Sequence, residues 1–150
     1  MNLSDIKSIG ILGAGVMGGG IAQCAIQAGQ AVIIRDLSDE ILENTKDTIL
    51  NARFGFNNAV KMGKMTQDES DKAMSLLSYT TDVNDLKDCD LIIEAIGGGA
   101  DGAIENKPLN LKVWEEMDGV VKPEEIFASN TSMFTIADLA AVTNRKDRFI

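Results

Sequence analysis

An α/β fold, with a doubly wound, mostly parallel sheet and helices on both faces, follows from three features of the 150-residue sequence. Apolar runs of strand length alternate with stretches of helical spacing. Those runs are near-continuously apolar rather than alternating in and out, as strands covered on both faces are. The first of them, SIGIL, leads directly into GAGVMGGG, so that residues 9–23 hold six of the chain's 14 glycines. Glycine is the costliest residue to order, and its concentration where a strand becomes a helix calls for a physical reason.

The elements follow in order. SIGIL (8–12) is a short buried strand. MGGGIAQCAIQAG (17–29) has apolar residues at helical spacing, with Gly29 as its C-terminal stop. AVIIRD (31–36) is a second strand. A helical arm follows it, with Ser38 as N-cap and Asp39 and Glu40 at its positive end, running to about Val60. KMGKMT breaks the arm, and Thr66 caps a further helix that reaches about Leu77. SYTTD is a weak third strand and CDLIIEAI a strong central one. GGGADGA is a loop. ENKPLNLKVWEEMD is mostly helix, with Pro108 in or just before its first turn. IFASN is a strand, TIADLAAVT a short helix, and RFI a strand that the chain end interrupts. No repeat, low-complexity run or linker divides residues 1–150, which therefore read as one domain. Right-handed crossovers make the sheet Rossmann-type.

The composition is that of a globular chain, 45% apolar and 25% charged. No apolar run approaches the roughly 18–20 residues of a membrane helix, and the N-terminus lacks a signal-peptide pattern. Two cysteines, Cys24 and Cys89, provide no disulfide framework or metal spacing, and both read as small core residues. A cytoplasmic protein is expected. The net charge of −9 argues against nucleic acid or an anionic membrane as partner. The sequence has no histidine, so these residues hold no histidine base, no histidine metal ligand and no Ser-His-Asp triad. No metal is expected.

The glycines fit the pattern Gly13-x-Gly15-x-x-Gly18. Gly13 permits the sharp turn out of the strand, Gly15 lets a diphosphate approach the backbone, and Gly18 lets the helix pack on the strand. The helix start then offers free N–H groups and partial positive charge to the phosphates. Asp36 ends the next strand, 18 residues after Gly18, where a carboxylate binds both hydroxyls of an adenosine ribose and repels the 2′-phosphate of NADP. NAD is the expected cofactor. Gly19 and Gly20 exceed the motif and read as aids to tight helix packing.

With GILGAGVMGGGIAQ, RD, CDLIIEAI and FASNTS in this order, the chain resembles the N-terminal NAD-binding domain of the L-3-hydroxyacyl-CoA dehydrogenase (3-hydroxybutyryl-CoA dehydrogenase) family over essentially its whole length. NRKDRFI matches the approach to that family's next strand. The resemblance implies hydride transfer between NAD and C3 of a 3-hydroxyacyl-CoA, as in fatty-acid β-oxidation. It places the diphosphate on Gly13, Ala14, Gly15, Val16, Met17 and Gly18, and the ribose on Asp36. Ala95, Ile96, Glu105, Asn110, Asn130 and Ser132 complete the implied cofactor set. Asn130 orders the site, and Ser132 hydrogen-bonds the substrate oxygen, where charge moves during the reaction. The family's histidine–glutamate pair would fall beyond Ile150, as would the helical C-terminal domain that closes over substrate and forms a homodimer. The chain accordingly reads as a cofactor-binding part, inactive alone. The basic stretch 51–66, with Arg53, Lys61 and Lys64 and no acid, is a candidate for CoA phosphates, against a plain solvated helix face.

The sequence also departs from the family. Residues 97–103 read as an insertion, either a tolerated loop or a reshaped pocket. Asn110 stands where the family has a lysine, with Lys107 and Lys112 as possible substitutes. Met133 replaces a second serine and, with Phe134, reads as core packing, with acyl-pocket tuning as the alternative. Trp114 and Phe54 read as helix-packing residues, and Glu115, Glu116, Glu124 and Glu125 as solvated. Tyr79 is followed by Val83 rather than a lysine, so the short-chain dehydrogenase pair is absent. Two other functions stay open: a gulonate-type sugar-acid dehydrogenase with the same domain, and a stand-alone NAD-binding module.

Overall fold

A computed structural model describes residues 5–97 and 106–150. The chain forms β1 (Ser8–Leu12), α1 (Val16–Gln27), β2 (Ala31–Arg35), α2 (Asp39–Asn51), α3 (Phe56–Lys61), α4 (Gln67–Met74), β3 (Leu77–Thr80), β4 (Leu91–Glu94), α5 (Lys107–Val120), β5 (Ile126–Ser129) and α6 (Ile136–Ala140). The sheet runs β3-β2-β1-β4-β5, and all four pairings are parallel. From β1 the chain steps outward to β2 and β3, then crosses back to β4 and on to β5. The order therefore reverses between β1 and β4, where α/β sheets open a crevice at their carboxyl ends. Register brings the strand ends level there: Leu12 lies opposite both Arg35 and Glu94, and Glu94 opposite Ser129.

Two cores cover the sheet. On one face Ile9, Ile11, Val32 and Ile34 pack against Ala22, Ile26, Leu42, Ile49 and Phe56 from the first three helices. On the other, Leu12, Ile92 and Phe127 pack against Trp114 and Met117 of α5 and Leu139 of α6. That second core is aromatic: the Trp114 ring centroid lies 4.7 Å from those of both Phe127 and Phe149. Arg145 is buried beside it, 4.2 Å over the Phe127 ring and 2.7 Å from the Asp118 carboxylate. Its guanidinium also donates to the carbonyls of Lys122 and Val121. A buried cation is tolerated only when paired and hydrogen-bonded in this way.

Several sequence expectations hold and others are corrected. Gly29 ends α1 with φ +88°. Thr66 caps α4 in a full capping box with Glu69, although α4 stops at Met74 rather than Leu77. Pro108 sits in the first turn of α5. The arm is not one helix to Val60: α2 ends at Asn51, where Ala52 turns extended, and α3 begins after Gly55. Ser38 has N-cap geometry, yet its side chain makes no cap hydrogen bond. RFI makes a single bridge, Phe127 with Phe149, rather than a strand. Cys24 is exposed while Cys89 is buried. α1 buries Gly18, Ala22 and Ile26, and Cys24 lies about 200° round the helix from Ala22. Phe54 is 80% and Met133 65% exposed, so neither packs in a core, whereas Trp114 does. Glu125 is buried, and its Oε2 has no hydrogen-bond partner. Burial, with Asp90 and Glu124 nearby, pushes its carboxyl up. Among the described residues no helix is long and apolar enough to cross a membrane.

Candidate cofactor site

The glycine turn leaves β1 at the reversal point. Gly13 has φ +100°, a conformation open to glycine, and a Cβ on it would stand 2.7 Å from the Ala95 carbonyl oxygen. Its N–H donates to the Arg35 carbonyl at 2.9 Å, and the Ala95 N–H donates to Leu12 at 2.8 Å. The turn is thus wedged between the ends of β2 and β4. A Cβ on Gly18 would overlap the Gly13 carbonyl, so any side chain there would force α1 away from the turn. Gly19 serves packing as expected, facing the Thr45 methyl. Gly20 does not, since nothing lies within 4 Å of its Cβ position.

α1 begins at Val16 with Gly15 as N-cap and no side-chain cap. Its first N–H groups have no partner within the helix. Gly15, Val16 and Met17 are exposed around this helix start. Asp36 follows β2 and faces it. One carboxylate oxygen accepts the Ala14 N–H and the other the Leu37 N–H, each at 2.7 Å. The acid is held in place by the backbone that would carry the phosphates.

A cavity of about 480 Å³ opens over this turn. Its floor is Gly13, Gly15, Ala95, Ile96 and Gly97, and Arg35, Asp36, Leu37 and Ile41 form one wall. Leu109, Lys112, Val113 and Glu116 of α5 form the other. Apolar side chains on both walls suit a flat heterocycle, the carboxylate suits sugar hydroxyls, and the open helix start suits a diphosphate. These donors and acceptors fit a dinucleotide.

The structure therefore brings Gly13, Gly15, Asp36, Ala95 and Ile96 together, with Ala14 and Gly18 buried just beneath. Asn110 does not line the cavity; it is 1% exposed, among the core residues of α5. Of the two substitute lysines, Lys107 pairs with Asp138 at 2.6 Å, and Lys112 faces the cavity. Asn130 and Ser132 are exposed just past β5. Arg53, Lys61 and Lys64 are exposed on and around α3, with Arg53 5.4 Å over the Phe54 ring. Glu105 and residues 98–103, most of the segment 97–103 that reads as an insertion, lie outside the described residues.

Sequence reading missed Glu94, an acid inside the apolar run LIIEAI. It is 2% exposed. Its carboxylate accepts the Ile96 N–H at 2.6 Å and the Ser129 hydroxyl at 2.6 Å, and the Ser129 oxygen accepts the Thr131 N–H. The Asn130 N–H donates to the Glu94 carbonyl at 2.8 Å. One buried acid thus ties the turn after β4 to the SNTS turn after β5. A lone acid in an otherwise apolar strand was the available signal, because such a charge must find partners. Arg35 was also missed as a wall residue.

A parallel sheet whose reversal point carries Gly-x-Gly-x-x-Gly, opposite a carboxylate at the end of the next strand, defines a dinucleotide-binding domain. Comparison with known proteins narrows the class. Residues 8–150 match the family described as 3-hydroxyacyl-CoA dehydrogenase, NAD binding domain, and the chain belongs to that family. NAD is its cofactor. A 3-hydroxybutyryl-CoA dehydrogenase of Bradyrhizobium diazoefficiens is 39% identical over 145 residues, which are 97% of this chain and 46% of that protein. One from Mycobacterium tuberculosis is 35% identical over 150 residues, 99% of this chain and 49% of that protein. The crystal structure of (S)-3-hydroxybutyryl-CoA dehydrogenase from Ralstonia eutropha superposes with a TM-score of 0.87 at 38% identity. The match covers 97% of this chain and 48% of that one. The chain thus spans about half the length of the curated relatives it matches.

Proposed function

We propose that these residues are the cofactor-binding part of a dehydrogenase that interconverts a 3-hydroxyacyl-CoA and its 3-keto form. The observation that carries this is the tie between the two halves of the site. Glu94 fixes the SNTS turn, which bears Asn130 and Ser132, to the strand end that floors the cofactor cavity. Substrate-handling groups are thereby built onto the same rigid edge as the cofactor groups.

In this reading the first turn of α1 holds the cofactor's diphosphate, Asp36 accepts its adenosine ribose hydroxyls, and Leu37, Ile41 and Val113 cover its adenine. NAD, when bound, supplies the hydride acceptor at C3 of the substrate. Ser132 donates a hydrogen bond to the substrate's C3 oxygen, and Asn130 orders the turn that presents it. Arg53, Lys61 and Lys64 offer positive charge to the CoA phosphates. Those phosphates would otherwise meet a chain of net charge −9. In this reading the proton of the substrate hydroxyl leaves to the histidine–glutamate pair that the family resemblance implies, and since the 150 residues contain no histidine, that base stands outside them. We place that base, the acyl pocket and a homodimer contact in a C-terminal portion like the one that accounts for the remaining length of the relatives. A cytoplasmic enzyme fits the two free cysteines.

Two assays test the proposal. The 150-residue chain is expected to bind NADH and to show no turnover of acetoacetyl-CoA. The full-length gene product is expected to oxidise L-3-hydroxybutyryl-CoA with NAD. A full-length product that binds NADH yet leaves acetoacetyl-CoA and its hydroxy form untouched would refute the substrate assignment.

A further inference from the structure

Ala14 is gripped from the protein side at both of its backbone polar groups. The Ala14 N–H donates to Asp36, and its carbonyl accepts a hydrogen bond from the hydroxyl of Thr45 on α2, 31 residues on. Thr45 is 5% exposed, and its oxygen also lies 2.9 Å from the Ile41 carbonyl one turn back. A helical threonine is ordinarily satisfied by that i−4 carbonyl alone. Here the single hydroxyl proton has a second acceptor outside its own helix, the Ala14 carbonyl of the glycine turn, which lies nearer than that of Ile41.

The geometry of a trans peptide gives this contact a consequence. Carbonyl and N–H point to opposite sides of such a unit, and the described residues contain no cis peptide bond. A carbonyl of Ala14 turned inward to Thr45 turns the N–H of Gly15 outward. Gly15 is exposed, lines the cavity and has nothing within 4 Å of its Cβ position. Gly19 supports the arrangement from below: a Cβ there would stand 3.1 Å from the Thr45 methyl carbon, so the bare helix face lets α2 come close.

We propose that Thr45 is a positioning residue for cofactor binding: through the Ala14 carbonyl, its hydroxyl aims the Gly15 N–H at the anionic diphosphate of the dinucleotide. The inference rests on the NAD-binding reading of the same cavity. Asp36 and Thr45 hold opposite ends of Ala14, so the turn is set before ligand arrives and its reorganisation does not subtract from affinity.

Two substitutions separate this role from packing. Thr45→Val keeps the branched shape and removes the hydroxyl. Thr45→Ser keeps the hydroxyl and removes the methyl group that faces Gly19. NADH is titrated into the 150-residue chain and each variant, at a temperature where melting curves show all of them folded. Thr45→Val is expected to weaken NADH binding about five- to tenfold, the scale of one lost hydrogen bond. Thr45→Ser is expected to stay within about twofold of the parent. Adenosine, which has no diphosphate, is expected to bind Thr45→Val as it binds the parent. If Thr45→Val does not fold, Thr45→Ala against Thr45→Ser makes the same comparison, since both lack the methyl and differ in the hydroxyl. A packing role reverses the order, with Thr45→Ser as weak as Thr45→Val or weaker. That order, an unchanged NADH affinity in Thr45→Val, or an equal loss for adenosine overturns the proposal. Absence of NADH binding by the parent chain would instead remove the cofactor reading itself.

Discussion

The two faces of the sheet are built from different materials. On the α1 and α2 side the core is mostly aliphatic, with Phe56 its one fully buried ring, and is thinned by Gly18, Gly19 and Ala22, and a polar contact runs through it from Thr45 to the glycine turn. On the α5 and α6 side three aromatic rings pack tilted and edge-on against one another, beside a buried ion pair whose arginine lies over Phe127. The first face lets backbone come close to backbone, which is what a ligand-binding turn needs. The second fills volume and fixes the far side of the crevice. Binding and stiffness are thereby assigned to opposite faces, and substitutions on each are expected to report on different properties.

The largest effect is expected in the aromatic core. Trp114→Ala removes the ring that contacts both Phe127 and Phe149 and is expected to lower unfolding free energy by about 3–5 kcal/mol in urea titration. A loss confined to NADH affinity, with stability intact, would break the division between faces. Asp118→Ala comes next. It strands the buried Arg145 cation, and losing one partner of such a pair costs about 3–5 kcal/mol, here tempered by the carbonyls that also hold the guanidinium. This pair adds a pH signature. Burial acts to raise the Asp118 carboxyl, but hydrogen bonds from Arg145 and Asn144 outweigh it and hold it below the usual aspartate range. Stability from this group is therefore complete above the unfolded aspartate pKa of 3.8 and is lost as pH falls through the lower folded value. Thermal melts between neutral pH and strong acid are expected to show a smaller acid-side loss in Asp118→Asn than in the parent, the remainder coming from other carboxyls held low, such as Asp90 and Asp138.

On the other face, Asp36→Ala is expected to weaken NADH binding by ~1–3 kcal/mol, the scale of losing hydrogen bonds to a charged group. Calorimetry returning the parent dissociation constant would remove Asp36 from the site. The smallest effect falls at the opposite edge of the sheet. Glu125 has its carboxyl pushed up by burial and by Asp90 and Glu124. The folded state prefers the protonated acid, so the stability this gives is present in acid and lost as pH rises through the raised pKa. Glu125→Gln is expected to stabilise the chain by about 1 kcal/mol at neutral pH, near the low end for an unsatisfied buried polar group. The gain is expected to vanish as pH falls below 4.5, the ordinary glutamate value, where the carboxyl is protonated in the folded and the unfolded chain alike. A gain that persists in acid would mean that the charge is not its source.

Much of this organisation was legible in residue order. The apolar runs placed four strands, the polar SYTTD marked the third only weakly, and RFI proved a bridge; Gly13 and Gly18 with Asp36 marked the turn and its partner, because each is the residue type that a backbone bend or a ribose demands. Single-position exposure was harder to read. Phe54 and Met133 are apolar yet exposed, and Glu125 is charged yet buried, because those outcomes depend on neighbours distant in sequence. Glu94 was hidden for a related reason: its partners Ser129 and Ile96 join it only once β4 and β5 pair. Thr45 was invisible for the same reason, since its contact spans the gap between α2 and the first turn. Asn110 stands where the family resemblance implies a cofactor-contacting lysine, but helix phase turns it inward and brings Lys112 to the cavity wall.

Everything assigned to the cavity depends on the turn at residues 13–18, backed by Asp36, being the seat of NAD. Parallel calorimetric titrations of the 150-residue chain with NADH and NADPH address it most directly. Saturable binding of NADH is expected, with NADPH binding weaker by about tenfold or more, because a 2′-phosphate would meet the Asp36 carboxylate. No heat with NADH, or equal affinity for the two cofactors, would contradict it.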